Sequence, residues 1–345
     1  MKSNAFGLDI GTSSIKAVFL NRDGNTLSFN SAISVPTPSP GMQSESPFDH
    51  QEMAKVINKL VTDAKITTNK VNIALPEHNI FTKVIDMPIL SEKELSTAIY
   101  WEAEQHIPAP MDTMTLAWSI LRRPKQIGTD QKMQVLIVAA PNHIIKRYQT
   151  ILELAGLSVI AVETETLSLI RCIVKERSTV TSMLMNIGSL NTSFSIVQNG
   201  IIVFNYSTPL GGSAVTRAIA ADFGLNTSQA EEYKRTYGFS DKNLSGKVGK
   251  AIEPIFTNIL TEAKKAIAFY SERYKNDSPI SQILLSGGTA KMPGLDVFFV
   301  KSIGIETAIL NPWKLLSVSN VPKEFEAQGP QFGVACGLAV KEYEQ

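Results

Sequence analysis

The first seventy-five positions alternate between strand-like and helix-like spacing. Ala5 to Ile10, Ile15 to Leu20 and Leu27 to Ile33 are mainly apolar and predict three strands. Asn21-Arg22-Asp23-Gly24 supplies a tight turn between the second and third. Val35 to Pro47 carries Pro36, Pro38, Pro40 and Pro47, cannot pair regularly, and reads as a surface loop. Asp49 then stands as the cap of a helix on Met53, Val56, Ile57 and Leu60. Val71 to Leu75 is the next strand, and Pro76 ends it.

From Pro76 to Val162 the pattern predicts an inserted unit. Phe81 to Met87 is a strand, and Ser91 with Glu94 is a capping box for a helix through Leu95, Ala98, Ile99 and Trp101, stopped by Pro108 and Pro110. Thr115 to Leu121 and Met133 to Ala140 form a hairpin around a polar loop at Arg122 to Lys132, and Asn142 caps a helix ending near Gly156. A small sheet backed by two helices results, with no nucleotide signal in it. It reads either as a docking module or as a stabilising appendage.

The second half repeats the opening. Ser182 to Ile187 is again apolar, Gly188-Ser189-Leu190-Asn191-Thr192-Ser193 is a polar turn, and Phe194 to Val197 is a strand. Gln198-Asn199-Gly200 then turns into Ile201 to Tyr206. Strand, glycine turn, strand, tight turn, strand thus occurs twice, which predicts two similar lobes. Gly211-Gly212 opens a helix to Phe223, Ser228 caps the next, and a long amphipathic helix runs from Ala251 to Tyr274. Strand Ile283 to Leu285 leads into Ser286-Gly287-Gly288-Thr289 and a helix from Leu295 to Ser302. Asn311 to Gly329 reads as irregular, and a last helix covers Gly333 to Tyr343.

The turns carry the candidate chemistry. Gly11, Thr12, Ser13 and Ser14 let backbone N–H groups and hydroxyls approach a phosphate, with Lys16 in reach of its charge. A carboxylate at Asp9 repels bare phosphate, so it makes best sense as the partner of a hydrated Mg2+. The second glycine turn would grip the same polyphosphate from the opposite side. The double glycine at Gly287 and Gly288 permits flat passage against a base or N–H donation at a helix start.

Composition narrows the classes. A chain of 345 residues with 43% hydrophobic content can build two cores without staples. Lys plus Arg number 33 against 32 Asp plus Glu, which favours neither nucleic acid nor an anionic membrane surface. No leader pattern precedes the first strand, and Val135 to Pro141 is far shorter than the ~20 residues of a membrane helix. Direct insertion is therefore not expected, and membrane association would run through a partner. Cys172 and Cys336 read as buried small hydrophobes in a reducing compartment. The four histidines, His50, His78, His106 and His143, show no metal-ligand spacing.

With these motifs in place, the chain resembles the actin-like ATPase superfamily of actin, Hsp70, sugar kinases and FtsA. Within it the chain is most similar to the PilM family of type IV pilus assembly. Met87-Pro88, Trp101-Glu102-Ala103-Glu104-Gln105-His106-Ile107-Pro108, Ala155-Gly156-Leu157, Leu210-Gly211-Gly212, Ala230-Glu231-Glu232-Tyr233-Lys234 and Phe332-Gly333-Val334-Ala335-Cys336-Gly337-Leu338-Ala339 carry that likeness. The resemblance implies an α/β, two-lobed actin-like fold of duplicated RNase H-like domains with an FtsA-type inserted subdomain. Lobe 1 would comprise 1–75, 163–180 and 330–345, the insertion 76–162, and lobe 2 181–329.

The resemblance also implies ATP and Mg2+ as cofactors. Asp9 to Lys16 would be the first phosphate motif, Asn186 to Thr192 (with Gly188, Ser189 and Asn191) the second, and Ser286 to Thr289 the adenosine motif. Gly211, Gly212, Glu231 and Lys234 would complete the nucleotide site, with Glu231 and Lys234 at ribose and base. Glu165 would order the attacking water. In the family, the inserted subdomain and first lobe form the groove for the short cytoplasmic tail of the membrane protein PilN. Carried over, Met87 to Ile107 becomes the partner surface, with Trp101 and Ile107 as its contacts, although the position of Trp101 on its helix favours a core side chain. A pilus motor ATPase and self-association are further partners that the resemblance leaves open, and it places the protein in the cytoplasm, peripheral to the inner membrane.

One position departs from the superfamily pattern. Asn186 stands where an Asp usually begins the second phosphate motif, so the expectation is nucleotide binding with weak or no hydrolysis. A small-molecule kinase and an FtsA-like filament are the competing readings on the same fold.

Overall fold

The computed structural model describes residues 5–24, 26–124, 132–173, 180–240 and 246–341. β1 (Phe6–Ile10), β2 (Ser14–Asp23) and β3 (Thr26–Pro36) pair antiparallel in succession. α1 (Pro47–Asp63) begins at a proline, whose fixed φ suits a first helical position, and buries Met53, Ile57 and Leu60. Its cap is Ser46. Asp49 lies inside the first turn, near the positive end of the helix dipole, where it accepts a hydrogen bond from the Ser44 hydroxyl. β4 (Lys70–Leu75) follows, parallel to β1.

The inserted sheet holds β5 (Phe81–Pro88), β6 (Met114–Arg122) and β7 (Lys132–Pro141), with β7 central and antiparallel to both neighbours. The body of the expected polar loop between β6 and β7 lies outside the described residues. α2 (Glu92–Glu104) carries the capping box: the Glu94 N–H donates to Ser91 Oγ, and the Ser91 N–H donates to the Glu94 carboxylate at 2.8 Å. One face of the sheet packs against α2 through Ile85, Met87, Leu95, Ile99 and Val135. The other face, through Val84, Leu136 and Val138, joins a core containing Leu184, Val197 and Ile202 of the second half. Asp86 and Arg273 add an ion pair at 2.7 Å across that junction.

α3 (Asn142–Leu154) and β8 (Ser158–Thr164) depart from the expected boundary at Val162. β8 runs parallel to β4 in the first sheet, and Tyr148, Ile151 and Leu152 of α3 pack among Phe6, Leu8 and Met53. The reason is topological. Two parallel strands need a crossover connection, and α3 is the helix that closes the crossover from β4 to β8. Asn142 is the first helical residue and not the cap; its side chain accepts from the Thr115 hydroxyl at 2.7 Å.

α4 (Glu165–Ile173) follows β8, and the second half contains β9 (Thr181–Ile187), β10 (Thr192–Gln198), β11 (Ile201–Thr208), α5 (Gly212–Phe223), α6 (Thr227–Thr236) and α7 (Lys247–Arg273). β12 (Ile280–Ser286), α8 (Leu295–Ile303), β13 (Glu306–Ile309), α9 (Pro312–Leu315), α10 (Lys323–Ala327) and α11 (Gly333–Ala339) complete it. The stretch expected to be irregular thus carries two short helices. The last helix ends before Tyr343, which lies outside the described residues. α6 is capped by Asn226, boxed with Gln229, and not by Ser228.

The two large sheets share one plan. Their orders are β3-β2-β1-β4-β8 and β11-β10-β9-β12-β13, each with three antiparallel strands followed by two added in parallel. α11 returns to the first lobe and packs on β1 and α4 at glycine contacts. A Cβ on Gly7 would collide with the Ala335 carbonyl, and one on Gly337 with the Ser168 carbonyl. Beside this contact Glu163 accepts from both terminal nitrogens of Arg171 and from Lys341. Cys172 and Cys336 are free and buried in the same region.

Candidate functional site

A cleft of about 1470 Å³ lies between the lobes, lined by Gly11, Gly188 and Gly287 together. The first wall is the β1–β2 turn, where Asp9, Gly11, Thr12, Ser13, Ser14 and Lys16 all reach the cleft. The Gly11 N–H donates to the Ser14 carbonyl at 3.1 Å. Asp9 and Lys16 are register partners on adjacent strands, and their side chains form a buried ion pair at 3.0 Å. The Lys16 ammonium therefore borders the cleft already neutralised by a carboxylate.

The β9–β10 turn repeats this geometry in the other lobe. Gly188, Ser189 and Asn191 line the cleft, and the Gly188 N–H donates to the Asn191 carbonyl at 2.9 Å. Two predicted residues stand behind it. Thr192 is buried and donates to the Leu210 carbonyl at 2.6 Å, and Gly211 sits where a Cβ would be 2.6 Å from the Ser189 carbonyl. Together they fasten the start of α5 to the turn, and the Gly212 N–H donates to the Gly188 carbonyl at 2.9 Å.

The third wall leans on the second. Gly287 has φ +91°, a conformation open to glycine, and a Cβ there would be 2.5 Å from the Ile187 carbonyl. Gly288 faces open space, and Thr289 donates to the Gly188 carbonyl at 3.3 Å. On α6, Glu231 and Lys234 form an ion pair at the cleft, and Thr216 donates to Glu231 at 2.6 Å. Burial works to raise the Glu231 pKa, but hydrogen bonds from Lys234 and Thr216 outweigh it and leave the group below its ordinary value. Burial lowers Lys234, against the pull of Glu231.

The carboxylates gather at the other end. Glu165 opens α4, and Asn186 Nδ2 donates to its Oε2 at 3.3 Å. Burial, then the charges of Asp9 and Glu77, push the Glu165 pKa up to about 8, against Lys16 and the Asn186 bond. Such mutual repulsion is the environment that a divalent cation offsets. Among the described residues no group of three or more His, Cys, Asp or Glu could hold a metal ion directly.

Sequence reasoning missed part of this wall. Pro76, Glu77 and His78 line the cleft, although the pattern had placed them in an insertion without a nucleotide role. Glu77 is buried, accepting from the Thr166 N–H at 3.0 Å and from Asn205 Nδ2 at 2.8 Å. His78 Nδ1 meets Asn191 Nδ2 at 2.9 Å, and burial lowers the His78 pKa. Arg217, Lys291 and Gln331 also border the cleft. No periodicity marks these positions; the strand-ending Pro76 was the nearest signal.

The two expected partner contacts separate. Trp101 is 65% exposed with Tyr100 edge-on beside it, whereas Ile107 is buried in the core under α2. The core position expected for Trp101 is overturned because the buried stripe of α2 is Leu95, Ile99 and Ala103, and two residues from Ile99 is about 200° around the helix. Ile107 is correspondingly unavailable to a partner.

Known proteins match this architecture. The family described as type IV pilus assembly protein PilM matches residues 7–343. A solved structure of a PilM-PilN type IV pilus biogenesis complex is 26% identical over 100% of both chains, with a TM-score of 0.86. The ethanolamine utilization protein EutJ from Carboxydothermus hydrogenoformans shares the fold at 13% identity, covering 97% of this chain and 89% of its own, with a TM-score of 0.56. MreB 5 of Spiroplasma citri bound to AMPPNP does so at 13% identity, 98% and 95% coverage and a TM-score of 0.54. The fold is the α/β actin-like ATPase fold.

Proposed function

The chain belongs to the PilM family of type IV pilus assembly proteins, and from that premise we propose that it is an ATP-binding scaffold receiving the cytoplasmic tail of a PilN-like membrane protein. The observation that carries the nucleotide half is the pair of matched glycine turns, each closed by the same N–H to carbonyl bond, facing one cleft. The turns would hold the phosphates through backbone N–H groups, Glu231 and Lys234 the ribose and base, and Asp9 a hydrated Mg2+. Bound magnesium would supply the positive charge that screens a polyphosphate from Asp9 and Glu77.

Hydrolysis on this reading is slow. Asn186 brings an amide where a second negative charge would help, and Glu165, with its pKa near 8, is largely protonated at neutral pH and a poor acceptor for a water. Turnover of several per second in a radiolabelled assay, abolished by Asp9→Ala, would overturn this.

The scaffold half rests on α2, which presents Tyr100 and Trp101 to solvent from a sheet that also packs on the second lobe. Closure of the lobes would then change the docking surface. Among the described residues no helix is long and apolar enough to cross a membrane, and attachment to the inner membrane would come through the partner. A pull-down from membranes with the purified chain, with and without ATP, tests it. Wild type should capture a PilN-like protein in an ATP-dependent amount and folded Trp101→Ala should not; equal capture by both would sink the docking role of α2. Substrate-dependent ATP turnover would instead indicate a small-molecule kinase, and nucleotide-dependent sedimentation a filament.

A further inference from the structure

The Glu77–His78 turn belongs to neither duplicated half, yet it forms a wall at the carboxylate end of the cleft. We propose that His78 is a contact for the terminal phosphate, selecting a nucleoside triphosphate over the diphosphate, and that Glu77 is the residue positioning it. The proposal rests on the nucleotide-binding reading and adds a specificity determinant to it.

Three observations carry it. First, Asn191 Nδ2 lies 2.9 Å from His78 Nδ1, and an amide nitrogen can only donate. Nδ1 is therefore the acceptor, so the ring proton sits on Nε2, an N–H donor on a ring that lines the cleft and without a partner among the described residues. Second, the location is the phosphate end. Asn191 closes the second glycine turn, whereas the Glu231–Lys234 pair stands on α6. Third, the turn is rigidly held. Glu77 accepts from the Thr166 N–H of α4 and from Asn205 of β11, and Asn205 Oδ1 in turn accepts from Ser195 at 2.7 Å. Shifting the turn would break the Glu77 contacts to both lobes and the His78 contact to Asn191.

An N–H donor has a particular use here. Asp9 and Glu77 make this end electronegative, and Lys16 is already paired with Asp9. A neutral donor can bind a terminal phosphate oxygen without adding a charge that would compete with Lys16 for Asp9. A diphosphate leaves that donor unused.

Calorimetric titration of the full chain with a non-hydrolysable ATP analogue and with ADP, each with Mg2+, tests this. Wild type should prefer the analogue. His78→Ala should weaken the analogue about tenfold, as expected for one hydrogen bond to a charged group, while ADP changes less than about twofold. Glu77→Ala should reproduce that selective loss, and Glu77→Gln, which keeps an acceptor for Thr166, should largely restore the preference. Retained ADP binding reports that the variants are folded. Equal loss of both ligands, no loss, or a wild type without preference overturns the role of His78. Preference kept in Glu77→Ala overturns the role of Glu77. Failure of wild type to bind either nucleotide overturns the nucleotide reading and this proposal with it.

Discussion

Glu165 illustrates how a single side chain carries its environment into a measurable property. Its folded pKa of about 8 lies above the ordinary value of 4.5. The unfolded chain therefore releases this proton first on titration, and the folded chain holds it. Stability contributed by the protonated carboxyl is fully present below about pH 4.5, falls as pH rises, and is gone above about pH 8. Glu165→Gln removes the ionisation. In chelating buffer without nucleotide, its melting temperature should match wild type near pH 4.5 and pull ahead progressively up to pH 8; parallel curves would refute the assignment. At this scale the glycine turns were legible because their chemistry is local, a strand end followed by small residues. Glu77 and His78 were not, since they meet Thr166 and Asn191 across 89 and 113 positions.

Helix α2 separates folding from docking within one element. Ser91→Ala removes the capping box, whose loss costs about 1 kcal/mol, a value that chemical denaturation can read. Trp101→Ala alters an exposed position and should change stability by no more than about 0.5 kcal/mol while eliminating partner capture. A large stability loss in the second variant would show that the indole is structural. Element types were largely readable from periodicity, but starts were less so. At α6 both Asn226 with Gln229 and Ser228 with Glu231 spell a capping box. The structure uses the first, because Glu231 is engaged by Lys234 and Thr216 at the cleft. At α1, Pro47 pulled the start forward past the expected Asp49.

For the whole molecule, the duplication was readable because each half writes its own strand-turn-strand signature. The clasp between the inserted sheet and the second lobe was not, since Asp86 and Arg273 are 187 positions apart and neither is locally unusual. The return of α11 was legible only through resemblance, and its glycine contacts make it a substitution-sensitive joint. Gly337→Ala forces a methyl into the Ser168 backbone and should cost more than about 3 kcal/mol, measured by urea unfolding. A loss below 1 kcal/mol would mean that α4 and α11 can separate freely. That joint also sets an order of events on the ribosome. The first lobe is translated first but lacks its closing helix until residues 333–339 emerge, so the second lobe can complete its own core while the first still waits, exposed to chaperones and proteases.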